Sequence, residues 1–227
     1  MKKLLFFTIF ALFVFITATA QFVGSKSYNN INAIKNFEPD KNYNRFFLGY
    51  APLKFIFKGD GPEFSKTGHG FNIGWLGGYK VTKETPLYLE TGLAMNANFG
   101  QIQTERDKLL YFEIPLNITY RYYIKNTKLI ISPYLGLHLK VNVLARDVDG
   151  VSYFDYDSGG YGEYDFDDLS LNRCQIGMQL GANIDYEHFF LGIGWNRDFT
   201  PIGDVNSSWP SGKGVTSGFR LNVGVIF

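Results

Sequence analysis

Long segments of period-two hydrophobicity, an even number of them, and short connections alternating with long ones predict an all-β fold, an eight-stranded antiparallel up-and-down transmembrane β-barrel. Composition agrees. Of 227 residues 45% are apolar, 18% aromatic and 19% charged, with 25 Gly, 22 Phe and 15 Tyr, types that suit strands and turns better than helices. The formal charge of +1 supplies no concentrated basic face, so no nucleic-acid partner is expected. A lone Cys174 cannot form an internal disulfide.

The chain opens with Lys2 and Lys3, an apolar run from Leu4 to Ile16, and then Ala18, Thr19 and Ala20. That order is the pattern of a secretory signal peptide over residues 1–20, cleaved before Gln21. As a helix the apolar run would rise only ~20 Å, short of the ~30 Å hydrocarbon core. Residues 21–44 are polar and Asn-rich and read as a periplasmic lead-in, with the barrel domain at 45–227. No later stretch holds 18 apolar residues, so membrane residence has to use strands.

Eight strands are expected at 45–57, 69–82, 87–101, 109–123, 129–146, 171–187, 189–199 and 216–227. In the fourth, Leu110, Phe112, Ile114, Leu116, Ile118 and Tyr120 alternate with Tyr111, Glu113, Pro115, Asn117, Thr119 and Arg121. The fifth sets Leu135, Leu137, Leu139 and Val141 against Tyr134, Gly136, His138 and Lys140. The third and the last repeat the pattern with Leu93 and Met95 against Glu90 and Asn96, and Leu221 and Val223 against Arg220 and Asn222. By the same parity Cys174 falls in an apolar row and reads as a small apolar residue.

Period alone does not say which row faces inward, because a soluble sandwich or lipocalin-like barrel would bury the rows that a membrane barrel shows to lipid. Length favours the membrane: ordinary strands run about 5–6 residues, and tilted spanning strands about 9–11. Connections agree, with short turns at 83–86, 125–128 and 188 and longer segments at 58–68, 102–108, 147–170 and 200–215. Turning the polar rows outward would place Lys140 and Arg121 in lipid at about 2–4 kcal/mol each near the midplane. The apolar rows are therefore expected to face out. Pro52, Pro115 and Pro133 remove ladder donors, so breaks are expected there.

The string FEIPLNITYRYYI at 112–124, followed by LIISPYLGLHLKVN at 129–142, resembles strands of the PorT-like outer-membrane β-barrel family of Bacteroidota. The closing RLNVGVIF is similar to the assembly signal of outer-membrane barrels, with its terminal aromatic at Phe227. The resemblance implies a barrel inserted by the barrel assembly machinery, in a family where some members are linked to protein secretion. It implies no catalytic residues and no cofactor.

The inward rows assemble a polar interior from Lys80, Glu90, Glu113, Arg121, His138, Lys140, Arg173, Asp185 and Arg220. Turn registers put Glu113 opposite Lys140, Pro115 opposite His138 and Lys80 opposite Glu90. Eight strands leave room only for side chains, so this network is expected to fill and brace the lumen; a polar conduit or proton-linked site around His138 and Glu113 is the alternative. A hydrolase would need a nucleophile near His138, yet Ser132 on the same face lies six residues away, about 20 Å. No enzyme is expected.

The segment 147–170 gathers Asp147, Asp149, Asp155, Asp157, Glu163, Asp165, Asp167 and Asp168 among Tyr and Phe. Asp155, Asp157 and Gly160 echo a calcium loop, but Phe166 stands where the bidentate Glu belongs, so no metal site is assigned. The function expected is a structural or interaction protein of the bacterial outer membrane, in contact with outer-membrane lipid and lipopolysaccharide and with an extracellular or periplasmic protein partner. The alternatives are an accessory factor in envelope biogenesis or secretion and, further off, a soluble periplasmic small-ligand barrel or a membrane-embedded hydrolase.

Overall fold

The computed structural model describes residues 42–59, 64–82, 84–100, 108–125, 127–146, 168–206 and 212–227. The expected signal peptide, nearly all of the lead-in, and residues 147–167 of the acidic segment with its calcium-like motif lie outside the described residues. Strands follow in the order β1 Tyr43–Tyr50, β2 Leu53–Gly59, β3 Phe64–Lys80, β4 Leu87–Phe99, β5 Lys108–Tyr120, β6 Tyr122–Tyr123 and β7 Leu129–Arg146. They continue with β8 Asp168–Leu171, β9 Cys174–Tyr186, β10 Phe189–Asp198, β11 Gly203–Asn206 and β12 Gly212–Ile226.

Four of these segments prolong a neighbour across a short interruption. β2 continues β1 between the same partners, β6 continues β5, β8 leads into β9, and β11 follows β10. Eight strand positions result, all antiparallel, running β1, β3, β4, β5, β7, β9, β10, β12 and closing when β12 pairs β1. Arg45 faces Ile226 at the seam, and the Phe227 amide donates to the Asn44 carbonyl at 3.0 Å. Both ends of the barrel are therefore on the side of the short turns.

The packing is inverted relative to a water-soluble barrel. Ile118 is 59% exposed while its neighbour Asn117 is 3% exposed, and the same alternation runs along most of β5, β7 and β10. Leu93, Met95, Leu116, Leu135, Leu137, Ile193, Leu221 and Val223 face outward, and Glu90, Asn96, Glu113, His138, Lys140 and Asp185 face inward. Cys174 is on the outer face and exposed. Exposed aromatics cluster at two levels: Tyr79, Tyr120, Tyr122, Tyr186, Phe189 and Phe227 by the short turns, and Phe71, Phe99, Phe199 and Phe219 toward the other end. An apolar band between aromatic girdles is the surface of a membrane-spanning barrel. A soluble small-ligand barrel would have to carry these rows inside, so that reading is set aside.

The ladder breaks near each proline. Pro52 sits in the interruption between β1 and β2, and no pairing joins Gly92 and Leu93 to the stretch around Pro115. Arg121 drops out of the strand opposite Ser132 and Pro133. Two expected long connections are shorter than their segments: 58–68 becomes 60–63, because Leu53–Phe57 pair with Phe64–Gly68, and 200–215 becomes 207–211, because Gly203–Val205 pair with Gly212–Gly214.

Candidate functional site in the barrel interior

Inward parity and closure bring the polar rows of opposite walls together. Near the short turns Arg45 lies between two carboxylates, donating to Glu90 and, through Nη2, to both oxygens of Asp185 at 3.0 and 2.8 Å. Tyr43 donates its hydroxyl to Glu90, and Thr119 donates to the other Glu90 oxygen at 2.7 Å. Arg121 donates to Asp185 at 3.0 Å and places its guanidinium 4.1 Å from the Tyr43 ring centroid. Tyr43, Tyr88 and Ile226 form a buried apolar cluster at this end.

Further along, Arg220 grips Glu113 with both terminal nitrogens, one of them at 2.7 Å from Oε1, and touches Gln179 at 3.2 Å. Gln179 passes the contact on to Asn117 at 2.7 Å. Tyr134 lies across two glycines: a Cβ on Gly181 or Gly194 would stand 2.5 or 2.3 Å from its hydroxyl oxygen, so only glycine admits the ring there. Beyond this, Asp198 gathers His138 Nε2 at 2.6 Å, Lys140 Nζ at 2.9 Å, Gln175 Nε2 at 3.0 Å and the Thr216 hydroxyl. Leu53, Phe55, Leu109, Tyr111, Ala145, Leu171 and Ile202 then form an apolar cluster inside the far end.

Charge is matched within this column: Arg45, Arg121, Lys140 and Arg220 stand against Glu90, Glu113, Asp185 and Asp198. Each buried carboxylate accepts more than one donor, the condition under which a buried ion pair offsets its desolvation. The asparagines are less well served. Both amide atoms of Asn96, Asn72 Oδ1 and Asn196 Oδ1 have no hydrogen-bond partner among the described residues.

Set against the sequence, Glu90, Glu113, Arg121, His138, Lys140, Asp185 and Arg220 are buried in the interior. One expected pairing, Lys80 with Glu90, changes. Glu90 faces Gly78, and Lys80 faces Tyr88, because the turn closes with the Val81 amide on the Leu87 carbonyl at 2.9 Å, two positions from the assumed register. Lys80 is half-buried at the strand end, where its amide meets Asn42 at 3.0 Å. Glu113 does stand opposite Lys140 in register, and Pro115 opposite His138, but both charged heads reach across the lumen, to Arg220 and Asp198. Arg173 is exposed rather than inward: it falls in the interruption between β8 and β9, where its carbonyl accepts from the Asn142 amide at 2.7 Å and the alternation loses phase.

Arg45 and Asp198 were missed as site residues. Asp198 had a signal, since it continues the inward row Gly192, Gly194 and Asn196 on β10. Arg45 opens its strand with too little chain before it to set a phase. The pair His138 and Asp198 is the base-and-orienter half of a hydrolase, but the far ring nitrogen Nδ1 has no hydrogen-bond partner and the ring is buried. Ser132 turns instead to Asp185 at 3.4 Å, and Thr216 donates to Asp198, so no nucleophile is joined to the base among the described residues. No group of three His, Cys, Asp or Glu able to hold a metal occurs among them either. Phe227 stacks on Phe46 with ring centroids 5.8 Å apart, on the outside of the closing seam.

No family model and no curated protein matches the chain. Among solved structures it is similar to Ail, the attachment invasion locus protein of Yersinia pestis, in complex with the heparin analogue sucrose octasulfate, at 14% identity and a TM-score of 0.40, over 82% of this chain and 99% of that one. It is similar to Neisserial surface protein A at 18% identity and a TM-score of 0.43, over 80% and 97%. The N-terminal β-barrel domain of Pseudomonas aeruginosa OprF gives 13% identity and a TM-score of 0.37, over 79% and 97%. The barrel is defined by its own strand order and register, independently of these likenesses.

Proposed function

We propose that this chain is a structural or interaction protein of the bacterial outer membrane, a barrel with a filled lumen that presents its longer connections to the exterior. The observation that carries this reading is the inverted packing: apolar rows outside, and inside a charge-matched column closed by an apolar cluster at each end. Such an interior braces the wall, which moves the point of function to the loops. Export by the signal peptide at 1–20, insertion by the barrel assembly machinery through the strand ending at Phe227, and contact with lipopolysaccharide and a protein partner belong to the same reading. Limited proteolysis of intact cells tests it. Cleavage is expected within 147–167, with 81–86 and 124–128 spared; the reverse pattern, or recovery of the protein in the soluble fraction without detergent, would overturn it.

The strand pair at 112–124 and 129–142 favours a second reading, an accessory role in envelope biogenesis or protein secretion as in PorT-like barrels. Deleting the gene and finding the secreted proteins unchanged would reject that role while leaving the first intact.

A further inference from the structure

The outward rows carry a second pattern. Followed away from the short turns, they run apolar or aromatic, and on five strands the first exposed charge beyond that run is basic: Lys54 on β2, Lys108 on β5, Arg146 on β7, Arg197 on β10 and Lys213 on β12. The exposed carboxylates among the described side chains, Glu84 and Glu187, both sit at the opposite end.

Register places four of these cations in two pairs. Lys108 stands directly opposite Arg146 across β5 and β7. Arg197, Ser217 and Lys54 share one row across β10, β12 and β2, so Arg197 and Lys54 are two strand spacings apart, about 10 Å. Like charges facing each other on a sheet repel and destabilise it. An anion between them turns that repulsion into two attractions, and arginine holds phosphate oxygens with matched geometry.

Apolar surface adjoins each pair. Exposed Phe99 is directly opposite Lys108, and exposed Phe219 is two residues from Ser217 on the membrane side. A ligand fitting both features has a phosphate head and a hydrocarbon tail. We propose that the two pairs, Lys108 with Arg146 and Lys54 with Arg197, bind the phosphate groups of anionic lipid headgroups in the leaflet on the loop side. This rests on the proposed outer-membrane topology, in which that leaflet is the outer one.

The test uses the full folded chain in neutral detergent, titrated by native mass spectrometry with bisphosphorylated lipid A, with the same lipid stripped of phosphate, and with inorganic phosphate. Each basic residue near an anionic surface contributes about fivefold in affinity, so removing one pair, as Lys108→Gln with Arg146→Gln or Lys54→Gln with Arg197→Gln, should weaken binding of the phosphorylated lipid about 25-fold. Lys128→Gln, at the short-turn end, should leave it unchanged. Circular dichroism and trypsin resistance of each variant report the fold separately. Equal binding of the phosphorylated and stripped lipids, wild-type affinity in both folded double variants, or displacement of the lipid by equimolar inorganic phosphate would each overturn the proposal. None of these outcomes touches the proteolysis pattern on cells, so failure here and failure of the topology remain distinct.

Discussion

The charged clusters and the asparagines of the interior are equally buried, yet they are satisfied to very different degrees. Around Arg45 and around Asp198 every carboxylate is met by several donors from opposite walls, whereas Asn96 reaches neither a donor nor an acceptor among the described residues. The difference follows from reach. Arg and Lys carry long stems that cross a narrow lumen, whereas an Asn amide reaches only as far as a nearby strand, as Asn72 does to Asn222. Charge in this barrel binds wall to wall, while the asparagines bond only in part: Asn117 meets Gln179 and Asn72 meets Asn222, but Asn96 meets no hydrogen-bond partner among the described residues.

Breaking the charged side should cost most. Arg45→Met leaves Glu90 and Asp185 buried with a partner missing from each, and a loss of about 3–5 kcal/mol in unfolding free energy of the detergent-folded barrel is expected. A loss within 1 kcal/mol, read from urea midpoints, would show that the cluster does not hold the walls together. Space is the next determinant. Gly194→Val sets its Cβ against the Tyr134 hydroxyl and should cost about 1–3 kcal/mol by overpacking, relieved in part by pairing it with Tyr134→Phe.

The amide side should respond least among interior positions. Asn96→Leu removes two polar atoms that lack partners and should change stability by no more than about 1 kcal/mol in either direction. A loss as large as that of Arg45→Met would erase the contrast between charged and amide positions. Smallest of all is the ion pair outside the wall, where Lys128 donates to Glu187 between two short turns. The hydrogen bond from Lys128 holds the Glu187 carboxyl below its ordinary range and raises the Lys128 ammonium. A depressed carboxyl contributes stability above its unfolded pKa of about 4.3 and loses it as pH falls through the lower folded value. The difference between wild type and Glu187→Gln should therefore be slight at neutral pH, since both groups are exposed, and vanish in acid.

The number of strand positions and the facing of most rows were legible because side chains on a strand alternate with period two and a bilayer penalises charge on one side only; several strand limits were not, β3 starting at Phe64 and β12 at Gly212. From Leu110 to Tyr120 the alternation alone assigned every residue to a face, and the closing turn at 125–128 set Glu113 against Lys140. What sequence spacing did not reach were contacts fixed by closure. Arg220 meets Glu113 from 107 positions away, and Asp185 meets Arg45 from 140. The misplaced pairing of Lys80 with Glu90 has a local cause, a turn that closes two positions earlier on β4 than assumed, whereas Arg173 lost its phase at an interruption that no alternation announces.

By itself, then, the sequence determined a wall: which residues are strand, and which side of each is oily. The tertiary structure decided the partners across the lumen, because these depend on strand tilt, stagger and the seam between Arg45 and Ile226. Hydrophobic alternation is a local property of neighbouring residues, and an ion pair across a closed barrel is set by how the whole sheet curls.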